Sequence, residues 1–239
     1  MNKFRHIPKL ILCNIVVLGF IAIICFWGNR AINTAYERVS LTDRSTVIID
    51  AGHGGIDGGA TSCTGVLESN INLEIALRLE DLFHLLGIPT KMIRRTDRSV
   101  YTQGNSIAAQ KVSDLKNRVN TINSTPNAVL ISIHQNYFSA GQYKGAQAFY
   151  GSTAGSSDLA SKLQDSLVAS VNKDSHRKAK KATGIYLMEH IHCTGVLLEC
   201  GFLSNREEEA LLRGSDYQKK LCSIIATVYA EYLNLHKQS

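Results

Sequence analysis

The chain has 239 residues, 44% hydrophobic and 19% charged, which suits one ordinary domain with a tail and excludes a disordered polymer. The formal net charge of +6 hints at nucleic acid, but Lys3, Arg5, Lys9 and Arg30 supply +4 of it within the first 30 residues, leaving +2 for the rest. A nucleic-acid partner is therefore not expected, and 9 Tyr, 7 Phe and 1 Trp are too few for a single-strand stacking platform.

Residues 10–27, LILCNIVVLGFIAIICFW, contain no charge and one Asn. As a helix they would span about 27 Å, close to the ~30 Å hydrocarbon core. The basic residues before them favour a cytoplasmic N-terminus, so the bulk of the chain is expected outside the cytoplasm. The best small-residue cleavage site, ending at Ala35 after Asn33, is a poor one, so 1–27 reads as an uncleaved membrane anchor in preference to a removable signal segment. Residues 28–44 are polar and aperiodic and read as a linker, with one domain over 45–239. Cys13 and Cys25 fall in the apolar segment. Cys63, Cys193, Cys200 and Cys222 form no C-x-x-C pair; an exported domain could pair two of them, but free thiols are the simpler reading.

The domain alternates. TVIID (46–50) suits a buried strand. From Glu68 to Leu86 the apolar residues Ile71, Ile75, Leu79, Leu82 and Leu86 recur at helical spacing, and Gly87 stands where a helix ends. Residues 89–93 predict a strand, 95–113 a long surface loop and 114–124 a short helix. Strands are expected at Ala128–Ile133 and Ala146–Tyr150, a helix at Ser157–Val171, and strands at Gly184–Met188 and Gly195–Glu199. An amphipathic helix over 216–235 closes the chain, with Leu221, Ile224, Ile225, Val228 and Tyr232 on one face. This order predicts an α/β fold: a mainly parallel twisted sheet with helices on both faces.

In such sheets working residues gather at the carboxyl ends of strands. There stand AGHGGIDGGA (51–60) with His53, His134 with Gln135 and Asn136, and Glu199 with CGFLSN (200–205). Glu68 opens the helix returning from the first strand. Two imidazoles and two carboxylates can thus converge. Two His and one carboxylate make a common catalytic zinc shell, and a second carboxylate can take a proton from water. Spacing alone leaves a metal centre and structural polar groups both open. A nucleotide site is disfavoured, since the loop has neither G-x-G-x-x-G nor a P-loop pattern. His190-x-His192 could bind metal on a strand but reads as a surface turn. The basic cluster His176, Arg177, Lys178, Lys180 and Lys181 reads as a solvated face, with contact to an anionic polymer as the alternative.

VIIDAGHGGIDGGA (47–60), Glu68 with its helix, SIHQN (132–136) and LLECGFLSN (197–205) resemble, in order, the signature blocks of the zinc-dependent N-acetylmuramoyl-L-alanine amidases. The resemblance covers about 46–235. RKAKKATGIYLM (177–188) and the short anchor are similar to the spore-cortex members of the family in endospore-forming bacteria. The resemblance implies one zinc ion on His53, Glu68 and His134, with Glu199 catalytic. Arg94, in RRTD (94–97), matches a position beside the site. It further implies hydrolysis of the amide between N-acetylmuramic acid and L-alanine in peptidoglycan, a step preceding muramic-δ-lactam formation in the cortex and linked to sporulation and germination. An extracytoplasmic, spore-envelope location goes with it, the chain membrane-anchored or secreted; the need for an activating or partner protein is left open by the sequence. Ala51 and Cys200 depart from the commoner Pro and aliphatic residues, and neither removes a ligand. A non-catalytic wall-binding module would lack one of the four residues. A metallopeptidase cutting within the stem peptide would leave no free muramic acid ends.

Overall fold

The computed structural model describes residues 45–173 and 175–236, together with Gly19 and Ile23. The expected anchor (1–27) and linker (28–44) otherwise lie outside the described residues. Among the described residues no helix is long and apolar enough to cross a membrane.

The compact unit begins at Ser45. Its elements are β1 (Thr46–Ala51), α1 (Glu68–Leu85), β2 (Thr90–Met92), α2 (Ile107–Asn123), β3 (Ala128–Asn136), β4 (Gln147–Tyr150), α3 (Ser156–Ser170), β5 (Lys180–Lys181), α4 (Tyr186–His190), β6 (Thr194–Phe202), α5 (Arg206–Arg213) and α6 (Ser215–His236). One six-stranded sheet runs in the order β2-β1-β3-β6-β4-β5. Neighbours are parallel except β4 against β6. The expected α/β fold is what the chain adopts.

Strand side chains alternate between faces, and both faces are covered. Val47, Ile49, Ile131, Ile133, Val196 and Leu198 pack with Ile71, Ile75, Leu79 and Phe83 of α1, Leu163 of α3 and Ile225 and Tyr229 of α6. Ile48, Leu130 and Leu197 pack on the other face with Val119 and Ile122 of α2 and Leu187 and Met188 of α4. Gly87 follows α1 at φ +67° and donates its N–H to the His84 carbonyl at 3.0 Å, the C-terminal role the sequence predicts.

Four expectations change. The helix expected at 114–124 starts at Ile107, inside the expected loop; Ser106 caps it by accepting from the Ala109 N–H at 3.2 Å. Residues 184–188 form the approach to α4 and its first turn instead of a strand, because a short apolar run has no period that separates the two. β5 and α5 were not expected: β5 is two exposed lysines, and α5 buries Glu208 and Glu209 beside Leu212, so neither displays an apolar pattern. Finally, β3 and β6 extend beyond Ile133 and Glu199, so His134 sits within its strand instead of after it, and Glu199 sits inside its strand instead of at its end.

Candidate metal centre and active site

The loop after β1 makes the site possible. A Cβ on Gly52 would stand 2.2 Å from the His134 ring, and one on Gly59 would stand 2.6 Å from Glu68 Oε2 and 2.8 Å from His53 Cδ2. Side chains are excluded at both places so that the rings and carboxylate can close in. His53 itself sits at φ 60°, a left-handed conformation that costs a non-glycine residue energy and recurs at functional sites.

Two buried arginines hold that loop. Arg94, 1% exposed, donates Nε to the Ala51 carbonyl at 2.8 Å and a terminal nitrogen to the carbonyls of Gly52 at 3.0 Å and Ser69 at 2.8 Å. Arg118, on α2, donates to the His53 carbonyl at 2.8 Å and the Ala51 carbonyl at 3.0 Å. It is balanced by Asp114 at 2.5 Å and by a close ion pair with Asp50. Desolvation works against the Asp50 carboxylate, yet Arg118 outweighs it and keeps Asp50 below the usual carboxylate range. Arg94 therefore lies beside the site as expected, acting on backbone carbonyls.

Glu68, the first residue of α1, projects its buried carboxylate between the two imidazoles. Its Oε1 lies 3.3 Å from His53 Nε2 and 3.1 Å from His134 Nδ1, and accepts from the Gln135 N–H at 3.1 Å and from Asn72 Nδ2 at 3.2 Å. Its Oε2 accepts from the Ala60 N–H at 2.9 Å. Ligand-type atoms of His53, Glu68 and His134 all lie within 4.8 Å of one another, the one such group found among the described residues. Burial opposes ionisation of Glu68, but the two imidazoles outweigh it and hold its pKa well below the ordinary value. Burial also opposes the imidazolium of His53; Glu68 and then Asp57 overcome this and push the ring up to about 9 in the metal-free state. That favours charge pairing in the absence of metal, which a bound cation would replace.

Asp57 was not picked out from the sequence. Its Oδ2 meets His53 Nδ1 at 2.8 Å, and its Oδ1 meets Lys111 Nζ at 2.8 Å. A carboxylate on the outer ring nitrogen is the usual orienting partner of a metal-binding His. The signal available was its position four residues after His53 in the same loop. Arg118 and Asp50 were also missed, since a polar helix residue and a strand Asp look solvent-facing in sequence.

Glu199 lies outside the three-residue cluster. On β6 it is in register with His134 on the adjacent parallel β3, so both side chains project from one face of the sheet. Its Oε2 is buried with no hydrogen-bond partner. Burial raises its pKa, opposed by the charge of His134 and helped by that of Glu68. A buried, unpartnered carboxylate oxygen is costly, and such an atom beside a ligand cluster is suited to handling a proton.

Other polar candidates stay apart. His190, at the end of α4, stacks on Tyr186 with centroids 3.9 Å apart, and His192 is exposed. Lys180 and Lys181 are exposed on the edge strand, Lys178 pairs with Asp165 at 3.4 Å, and the Arg177 guanidinium lies 5.3 Å over the Phe202 ring. Cys63, Cys193, Cys200 and Cys222 are free; Cys200 and Cys222 are buried and Cys63 is exposed.

The family model described as N-acetylmuramoyl-L-alanine amidase matches residues 47–229, a span that contains all of these groups. The chain belongs to this family. Among curated relatives, this amidase is 36% identical over 213 residues to the germination-specific N-acetylmuramoyl-L-alanine amidase of Bacillus subtilis (strain 168), covering 87% of this chain and 89% of that one. Among solved structures it matches the CwlD amidase from Clostridioides difficile, determined in complex with the GerS lipoprotein. The TM-score is 0.77 at 36% identity, over 80% of this chain and 100% of that one. An N-acetylmuramoyl-L-alanine amidase from Clostridium difficile 630 matches with a TM-score of 0.68 at 29% identity, over 81% of this chain and 98% of that one.

Proposed function

We propose that this amidase is a zinc hydrolase that cuts the bond between the lactyl carbonyl of N-acetylmuramic acid and the nitrogen of L-alanine in spore-cortex peptidoglycan. The observation that carries the reading is the His53–Glu68–His134 cluster with the buried, unpartnered Glu199 carboxylate in register beside it.

The donor set fits one zinc ion: two imidazoles and a carboxylate, no thiolate among them, closed in by Gly52 and Gly59 and backed by Asp57. Held by these residues, zinc supplies Lewis acidity that polarises a carbonyl and makes water more acidic near neutral pH. Glu199 Oε2 accepts the proton of the attacking water and returns it to the departing amine of L-alanine. Its raised pKa brings it closer to working pH, where proton transfer in both directions is efficient. Asp57 keeps the outer nitrogen of His53 occupied, so that Nε2 remains turned towards Glu68.

The spore-cortex assignment is supported by the germination-specific relative and by the resemblance of residues 177–188. Cleavage there strips the stem peptide and prepares muramic acid for δ-lactam formation. The enzyme works outside the cytoplasm, tethered by residues 1–27 through the 28–44 linker. By analogy with the solved relative, it has a lipoprotein partner. The deciding experiment is mass spectrometry of digested peptidoglycan. Muramic acid ends with a free lactyl carboxylate, released together with intact stem peptides, are expected. Fragments of the stem peptide would overturn the reading in favour of a metallopeptidase.

A further inference from the structure

The cluster opens on one side into a hollow of about 360 Å³ between α2 and the approach to α4, sharing Gly52, His53 and His134 with the site. Ile56, Tyr101, Leu115 and Tyr186 form apolar parts of its wall. Two cations line it. Arg118 is almost fully buried and commits its nitrogens to Asp50, Asp114 and the carbonyls of Ala51 and His53. Lys111 is 47% exposed, and the Asp57 contact uses one of its three ammonium donors.

We propose that this hollow receives the stem peptide, and that Lys111 holds the free α-carboxylate of its second residue, a γ-linked D-glutamate. The proposal rests on the amidase reading, and substrate charge gives it direction. In the glycan half, the muramic carboxyl is consumed in the scissile amide and the aminosugars are neutral. The peptide half carries the carboxylates. The wall also holds Asp50, Asp57 and Asp114, but Asp50 and Asp114 pair with Arg118, and Asp57 is shared between Lys111 and His53. A side of the centre that offers the remaining ammonium donors of Lys111 beside Ile56, Tyr101, Leu115 and Tyr186 therefore matches the peptide and its methyl groups better than hydroxyl-rich sugar.

Reach agrees. A carboxylate on the second residue lies about 7 Å along an extended chain from the scissile amide. Lys111 stands off His53 by two 2.8 Å contacts in series through one carboxylate.

The test compares two muropeptides with the zinc-loaded full chain: N-acetylmuramyl-L-alanyl-D-glutamate, and its isoglutamine counterpart in which that carboxylate is an amide. The acid is expected to have the higher kcat/KM, by roughly tenfold, as for one charge-assisted hydrogen bond. Lys111→Gln should bring the ratio close to one, and Lys111→Arg should keep it. Lys111 also supports Asp57, but loss of that support would slow both substrates alike and leave the ratio unchanged. An unchanged ratio in Lys111→Gln, or no preference in the wild type, overturns the subsite and leaves the amidase reading intact. NMR titration of the zinc-free chain with L-alanyl-D-glutamate and L-alanyl-D-isoglutamine gives a readout independent of turnover. A Lys111-dependent preference for the acid there, with no cleavage by the loaded enzyme, would keep the subsite and sink the amidase reading.

Discussion

Glu199 and His134 stand opposite each other across β3 and β6, yet they should fail in different ways. Glu199→Gln keeps the shape but cannot take a proton at neutral pH, so turnover should fall by roughly 10²–10⁴ while zinc content stays near one per chain. His134→Ala removes a proposed ligand, and both zinc and activity should be lost. Metal analysis beside product release on both purified variants separates the roles; a zinc-free Glu199→Gln would make Glu199 a ligand. Asp57→Asn is milder. It leaves all three ligands but weakens the partner of His53 Nδ1, so zinc affinity should drop about 10–100-fold with the fold intact, read by competition with a chromogenic chelator.

At the level of elements, α2 matters more than its composition suggests. It buries only Arg118, Val119 and Ile122, yet it delivers both the arginine that holds the His53 loop and Lys111. Ser106→Ala removes its N-cap and should cost about 1 kcal/mol in urea unfolding with an unchanged m-value. The tie from α2 to β1 includes the Arg118–Asp50 pair, and loss of the Asp50 charge leaves the buried guanidinium with Asp114 as its one remaining carboxylate. Asp50→Asn should therefore cost about 3 kcal/mol at pH 7. The pH dependence has a definite sign. The folded-state pKa of Asp50 is depressed, so its contribution is full above the unfolded-state value near 3.9 and fades as pH falls through the lower folded value. The stability gap between wild type and Asp50→Asn should thus shrink below about pH 4. A gap that stays constant down to pH 2 would show that Asp50 is not held ionised.

For the molecule as a whole, the packed unit starts where the sheet starts. Ser45 Oγ lies 3.0 Å from the Tyr229 hydroxyl of α6, and the Thr46 N–H donates to the Asn127 carbonyl at 2.9 Å. A chain beginning at residue 40 keeps both contacts and should fold and remain soluble without detergent; aggregation of that chain alone would move the boundary. Because the three proposed ligands come from β3, α1 and the loop after β1 and meet only in the fold, zinc is expected to bind the folded state in preference to the unfolded chain. Zinc at 100 times its dissociation constant should raise stability by about 2.7 kcal/mol, seen as a higher Tm that prolonged chelation reverses.

Read alone, the chain already specifies the α/β alternation, the principal strands, α1 and α6, and the four polar residues that gather at one end of the sheet. It could do so because apolar periodicity and strand-end chemistry are local patterns. His53 and Glu199 stand out beside glycines and aliphatic residues whatever surrounds them. Elements whose buried faces are polar or very short escaped it: the first two turns of α2, α5 with its buried glutamates, and β5. It takes the folded chain to see that Asp57 backs His53, that Arg94 and Arg118 hold the carbonyls of Ala51, Gly52 and His53, and that Glu199 Oε2 is left without a partner. The arginine contacts join segments far apart in the chain, the state of Glu199 depends on burial, and the Asp57–His53 contact, though local, depends on how the loop turns. A charged side chain in sequence carries no mark of whether it will meet water, a partner or nothing.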